Sequence, residues 1–306
     1  MTYKGAVRAF AGVGRDNDST GTSMNEVQGF LLEGSGVRGA VVRLEETWRQ
    51  VIAEHSYTPQ VRALLGEGVA ATVLLASGIK ARPSVSLQLQ GEGPLKLLVI
   101  QCADGSRVRG MAHYSREPQT IPLLGAGRLV VNVDTGRPNG FFQGIVPLKS
   151  DKLDECLEAY FEQSEQLATR LILKTGERRV AGLMLQMLPG HDDQRDVDAF
   201  EDAAACAATV SADELTSLKA EELLPKLFAG HEIRLFEPHS VTHDCRCTPE
   251  RLAGVVRMLG ADEVKSLLAE QGHVELTCEF CNRTFRYDEQ ATQAILRDGA
   301  QSSVLH

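Results

Sequence analysis

The apolar positions change period twice along the first 190 residues. From residue 36 to about 80 the spacing is helical. It is most regular where Val61, Leu64, Leu65, Val69, Val73 and Leu74 follow Thr58-Pro59, a pair suited to an N-cap and a first helical turn. From Ser84 the period falls to two: Val85, Leu87 and Leu89 alternate with polar residues, and Gly91 to Pro94 turns the chain into Leu95 to Val99. Similar strands are expected near 107–114, 128–133 and 140–147, as one sheet of antiparallel strands. A helix is expected over 151–163, with Leu153, Cys156, Leu157, Tyr160 and Phe161 on one face, and strands near 169–174 and 180–188 before Pro189-Gly190 closes the unit. The pattern predicts an α+β domain over residues 1–189.

Residues 190–230 have a different character. Ten acidic side chains face three basic ones there, which places −7 of the chain's net −9 in that stretch. Ser211-Ala212-Asp213-Glu214 is a capping box leading into Leu215 and Leu218, and Ala203 to Ala208 favours helix, but the apolar stripe is thin. Short helices that repel one another need a docking partner. Residues 190–240 are therefore expected to be a metastable helical linker. Beyond it, residues 241–306 are well punctuated. Thr248-Pro249 starts a helix ending at Gly260, a second runs from Asp262 to Gly272, and Asp288 caps a third ending by Gly299. His273 to Thr277 and Arg283 to Tyr287 alternate like a hairpin.

That hairpin turns at Cys278-Glu279-Phe280-Cys281, and a tighter pair, Cys245-Arg246-Cys247, lies upstream. Two close cysteine pairs supply the four thiolates of a tetrahedral zinc site, so Cys245, Cys247, Cys278 and Cys281 are the expected ligands of one Zn²⁺. A domain this small buries only a marginal core. Zinc ligation contributes about 10–16 kcal/mol in small zinc peptides, more than such a unit's own stability, so loss of the metal should unfold it. His243 and His273 flank the pairs and read as bystanders beside a complete four-cysteine set. The same thiolates are targets of strong oxidants, and four cysteines allow three disulfide pairings. On residues alone, an inert zinc ribbon and a redox switch both remain open.

Composition narrows the rest. An apolar content of 43% over 306 residues suits about two globular domains, and no run of apolar residues is long enough to span a bilayer. The opening residues lack a signal peptide's apolar segment, so a cytoplasmic protein with no membrane partner is expected. The seven cysteines include three solitary ones, Cys102, Cys156 and Cys206, which argues against a disulfide framework and suggests small buried apolar residues. The net −9 disfavours a nucleic-acid partner. Cys278 and Cys281 sit in a hairpin, not at a strand-to-helix turn, which counts against a dithiol oxidoreductase, and no lone thiol beside a base suggests a hydrolase. No enzyme activity is expected. Gly91-Glu92-Gly93 and Gly125-Ala126-Gly127 lack the rest of a phosphate-binding fingerprint and read as turns.

From about Val37 onward the chain resembles the heat shock protein 33 family, the redox-regulated thirty-three-kilodalton chaperones. The resemblance rests on the two cysteine pairs together with Gln88 to Leu95, Tyr160 to Leu167 followed by Thr169-Arg170, and Leu185 to Pro189. It implies that the four reduced cysteines hold zinc and keep the protein inactive. Oxidation would then form Cys245–Cys247 and Cys278–Cys281 disulfides, release zinc, unfold the zinc domain and linker, and expose surfaces that hold unfolding client proteins without ATP, often as a homodimer. The implied role is a stress-response holdase. A constitutive zinc-ribbon adaptor or scaffold is the alternative, with a dithiol oxidoreductase behind it. The chain departs from the family pattern in residues 1 to about 24, where Met24 is a possible alternative start, and in having His243 where the family often has an aromatic residue.

Overall fold

The computed structural model describes residues 24–79, 83–115, 123–191 and 193–302, so the N-terminal extension before Met24 lies outside the described residues. The chain divides into two compact units, the first ending at Asp244 and the second starting at Cys245. The first unit begins with β1 (Asn25–Leu32), β2 (Val37–Leu44), α1 (Glu46–Ile52) and α2 (Pro59–Ser77), and continues through β3 (Ser84–Gly91), β4 (Leu95–Ala103), β5 (Arg107–Tyr114), β6 (Gly127–Asp134) and β7 (Phe141–Pro147). Then come α3 (Leu153–Tyr160), β8 (Thr169–Thr175) and β9 (Val180–Met187), the helices α4 (Gln194–Ala208), α5 (Ala212–Ser217) and α6 (Ala220–Leu227), and the short strands β10 (Ile233–Leu235), β11 (His239–Ser240) and β12 (Thr242–His243).

These strands form two sheets where the alternation predicted one. The first has the order β10-β1-β2-β9-β8, with β11 also on β1, and the second β12-β5-β4-β3-β6-β7. Every pairing is antiparallel except β12 beside β5. Helix α2 packs against both sheets, with buried residues from Val61 to Ala76 on all sides, as expected of a helix that is apolar all round. Two glycines permit that approach from opposite sides. A Cβ on Gly66 would lie 2.7 Å from Val180 of the first sheet, and one on Gly68 would lie 2.6 Å from Ile100 of the second.

The helical reading of residues 36–44 is overturned: Gly36 lies in a turn and Val37–Leu44 form β2. This central strand is buried on both faces, and its near-continuous apolar run carries no period that separates strand from helix. Strand β1 and the short strands β10 to β12 also escaped the pattern. The last three are two or three residues long, and they run along the β1 edge of the first sheet and the β5 edge of the second. Helix α2 starts at Pro59 as expected, although Thr58 makes no side-chain cap. The helix expected to reach residue 163 is α only to Tyr160, then a π turn over Phe161–Glu165, stopped by Gln166 at φ 54°. Of the solitary cysteines, Cys102 and Cys156 are buried and Cys206 is partly so.

The acidic segment finds its docking partner in the outer face of the first sheet. Phe200, Ala203, Ala207, Leu215, Leu223, Leu224 and Phe228 pack on Phe30, Leu32, Val37, Val41, Leu183 and Leu185, and the rings of Phe30 and Phe228 lie 5.8 Å apart. The capping box at α5 is formed in full by Ser211 and Glu214. Arg43, only 3% exposed, donates to the Leu218 carbonyl between α5 and α6 and pairs with Glu26 at 2.5 Å. Removing one partner of a buried ion pair leaves the other uncompensated. Arg43→Met should therefore lower the stability of the first unit by about 3 kcal/mol in urea unfolding and speed hydrogen exchange over 211–228.

Glu67, on α2, has a carboxyl pushed up to about 7, first by burial and then by Asp154, with Lys174 opposing. Between its ordinary 4.5 and about 7 the folded chain keeps a proton that the unfolded chain releases, so stability is full below this window and falls as pH rises through it. Glu67→Gln should raise stability at pH 8 by about 2 kcal/mol and change it little at pH 4. Denaturant titrations at both pH values check this, and an equal effect at the two would contradict it.

Candidate metal centre

The second unit is built around a hairpin and three helices. Helix α7 (Pro249–Leu259) is capped by the Thr248 hydroxyl, which accepts from the Arg251 amide at 3.3 Å. Gly260, at φ 85°, passes the chain to α8 (Ala261–Gln271), and Gly272, at φ 74°, ends that helix. The predicted hairpin is β13 (Val274–Thr277) with β14 (Thr284–Tyr287), and α9 (Glu289–Ser302) follows, with Asp288 accepting from the Ala291 amide at 2.8 Å. This helix runs past Gly299, where an end was expected. The core is thin: among the described residues Val256, Val264, Val274 and Tyr287 form its buried cluster, and Ala253 and Cys278 are also buried.

Two local devices bring the cysteine pairs together. At the hairpin tip, Cys278 N–H donates to the Arg283 carbonyl at 2.9 Å and Asn282 N–H to the Cys278 carbonyl at 2.8 Å, which folds the Cys-x-x-Cys segment into a tight knuckle. Asn282 sits at φ 50°, a left-handed position that asparagine tolerates better than most residues. The Tyr287 hydroxyl then donates to the Pro249 carbonyl at 2.8 Å, tying the hairpin to the start of α7 next to the first pair. Neither Asn282 nor Tyr287 stood out in the sequence, because the asparagine's backbone role and the tyrosine's distant partner leave no local pattern.

The four sulfurs converge. Sγ of Cys245 lies 3.5 Å from Cys247 and 3.6 Å from Cys278, Cys247 lies 3.3 Å from Cys281, and all four fall within 4.8 Å of one another. A tetrahedron with metal–sulfur bonds of about 2.3 Å has edges of about 3.8 Å, so the group fits one tetrahedral ion. The separations are well beyond the about 2.05 Å of a disulfide. Neither histidine belongs to the group. His273 points Nδ1 at the Gln271 carbonyl, 2.9 Å away, with Nε2 3.6 Å from Glu275. His243 lies on β12 of the first unit, where burial lowers its pKa.

Burial pushes the thiols of Cys245, Cys247 and Cys281 above their ordinary range. Burial also opposes ionisation of Cys278, but the amides of Phe280 and Cys281 and the thiols of Cys245 and Cys281 stabilise its thiolate, and the balance falls below the ordinary value. The Cys278 thiol therefore ionises more readily than its three neighbours. Metal binding here releases protons and weakens in acid. The four-cysteine cluster can hold a metal ion.

Comparison with known proteins agrees with this architecture. The family model described as Hsp33 protein matches residues 25–288. A 33 kDa chaperonin from Shewanella sediminis is 38% identical over 277 residues, covering 89% of this chain and 96% of the relative. One from Sodalis glossinidius is 38% identical over 288 residues, covering 92% and 98%. The crystal structure of the 33 kDa chaperonin, a heat shock protein 33 homolog, from Thermotoga maritima shares the fold with a TM-score of 0.76 at 20% identity, over 90% of this chain and 99% of that one. The extent of these matches, with the four converging cysteines, places this chain in the Hsp33 family of chaperones.

Proposed function

We propose that this protein is an ATP-independent holdase held inactive by one zinc ion on Cys245, Cys247, Cys278 and Cys281, and activated when an oxidant removes those ligands. The observation that carries the reading is the imbalance inside the second unit: four sulfurs at tetrahedral spacing accompany a thin core, whose buried apolar cluster among the described residues is Val256, Val264, Val274 and Tyr287. Zinc suits an all-thiolate tetrahedral site and has no redox chemistry of its own, so the electrons come from sulfur. Each disulfide takes two electrons from two thiolates and delivers them to the oxidant, a peroxide or hypochlorous acid. Two disulfides, taken from the family resemblance as Cys245–Cys247 and Cys278–Cys281, leave no thiolate to retain the metal.

Residues 190–240 act in this reading as the second element of the switch. Their helices cover Phe30, Leu32, Val41, Leu183 and Leu185, and their clustered negative charge works against staying compact. Undocking them exposes an apolar sheet face able to capture unfolding clients. A reducing cytoplasm is the setting in which such thiols rest with their metal, and the oxidised form is expected as a homodimer.

Oxidised protein should suppress aggregation of a heat-labile client at near-stoichiometric ratios while reduced, zinc-loaded protein does not. Equal suppression by both forms would favour a constitutive adaptor and sink the switch. Hydrogen exchange after zinc release should accelerate over 190–230 as well as beyond Cys245. Protection lost only beyond Cys245 would remove the linker from the mechanism. Cys278→Ser should reduce bound zinc from one ion per chain to a small fraction, by metal analysis, and unfold the second unit, while the first keeps its cooperative thermal transition.

A further inference from the structure

A polar ladder crosses the α2-facing side of the first sheet, beside Ala40, Leu171 and Met184 of the core around α2. Arg38 of β2 pairs in register with Gln186 of β9, and Gln186 with Thr169 of β8. The Arg38 guanidinium donates through Nε to the Gln186 side-chain oxygen at 3.1 Å, through a second N–H to the same oxygen, and through a third to the Gly78 carbonyl at 3.2 Å. Gln186, 2% exposed, passes its own amide to the Thr169 hydroxyl at 3.1 Å. All of these partners are neutral. Among the described residues no carboxylate pairs with Arg38, and two of the guanidinium's five N–H donors are left over.

The guanidinium borders a cavity of ≈ 270 Å³ between the two sheets at the C-terminal end of α2. Leu75 and Ile79 line it from the α2 side, Val131, Val133 and Phe142 from the second sheet, and Met184 from the first. The one carboxylate among the lining residues, Glu165, is exposed and accepts from the Tyr160 hydroxyl at 3.0 Å. Burial lowers the Arg38 pKa, the direction expected of a cation lacking a counter-ion. A half-buried charge with neutral partners and spare donors beside an apolar cavity is matched by an anion on an apolar chain.

We propose that this cavity is a binding site for a small apolar monocarboxylate, the size of a medium-chain fatty acid, with its carboxylate on Arg38 and its chain between Ile79, Val133 and Phe142. The volume is near the lower end of small-molecule sites, about 300–1,000 Å³, which favours one short chain over a larger ligand. The site is separate from the cysteine cluster and its chemistry does not depend on the switch. A ligand there contacts both sheets and so stabilises the first unit as a body.

The test uses reduced, zinc-loaded full-length protein and calorimetric titration with three probes below their micelle concentrations: decanoate, decanol and decyltrimethylammonium. Decanoate should bind once per chain, at least about tenfold more tightly than decanol, with the cation weakest. Arg38→Met should abolish the preference for decanoate over decanol, and Val133→Trp, which fills the cavity, should abolish binding of both. Equal affinity for decanoate and decanol on the unmodified protein, binding of several molecules per chain, or no decanoate binding overturns the proposal, as does a preference that survives in Arg38→Met. If Arg38→Met fails to fold, the three probes on the unmodified protein and Val133→Trp decide the matter.

Discussion

The first sheet has two apolar faces, and most of the larger unit follows from the need to cover both. Strand β9 shows the constraint in miniature: Val180 and Met184 belong to the core around α2, while Ala181, Leu183 and Leu185 belong to the core under α4 to α6. One face is covered permanently by a helix that is itself sealed by the second sheet. The other is covered by α4, α5 and α6, which lie in the segment that carries most of the chain's net negative charge. A segment rich in like charge is thus held in place by apolar burial and by Arg43, which reaches the chain between α5 and α6. Under the proposed function this cover is the part that the switch releases.

The second unit faces the opposite problem, too little core. The buried apolar cluster seen among its described residues is small for a unit of 62 residues, and cross-linking by a metal is one physical means of holding a unit of this size together. The knuckle amides and the low-lying Cys278 thiol prepare the site for a cation, while the raised thiols beside it resist ionising in its absence. Under the proposed function the two weaknesses serve one purpose: a metal-dependent unit follows a linker that depends on docking, and one chemical event on sulfur releases both.

Much of the site was legible in the sequence because its signals are local. The hairpin around Cys278 and Cys281, the Thr248 cap, and the stops at Gly260 and Gly272 each depend on residues a few positions apart, and each formed where expected. The Ser211–Glu214 capping box is another local device. Strand β2 was read as helix because burial on both faces erased its alternation, and the strands β10 to β12 were missed because edges, not periodicity, define them. The resemblance to known chaperones supplied what no spacing contains, namely a reason to connect the cysteines with the acidic segment.

By itself the sequence determined the α+β class, the two close cysteine pairs and the acidic, weakly apolar segment before them, since composition and short-range spacing carry all three. Only the tertiary structure decided that the strands divide into two sheets around α2, that the acidic helices cover the outer face of the first, and that Arg38, Gln186 and Thr169 line up beside a cavity. Those outcomes depend on pairings between residues more than a hundred positions apart, such as Arg38 with Gln186. Strand register is set by which faces are buried together, and a linear pattern does not contain that information until the chain has folded.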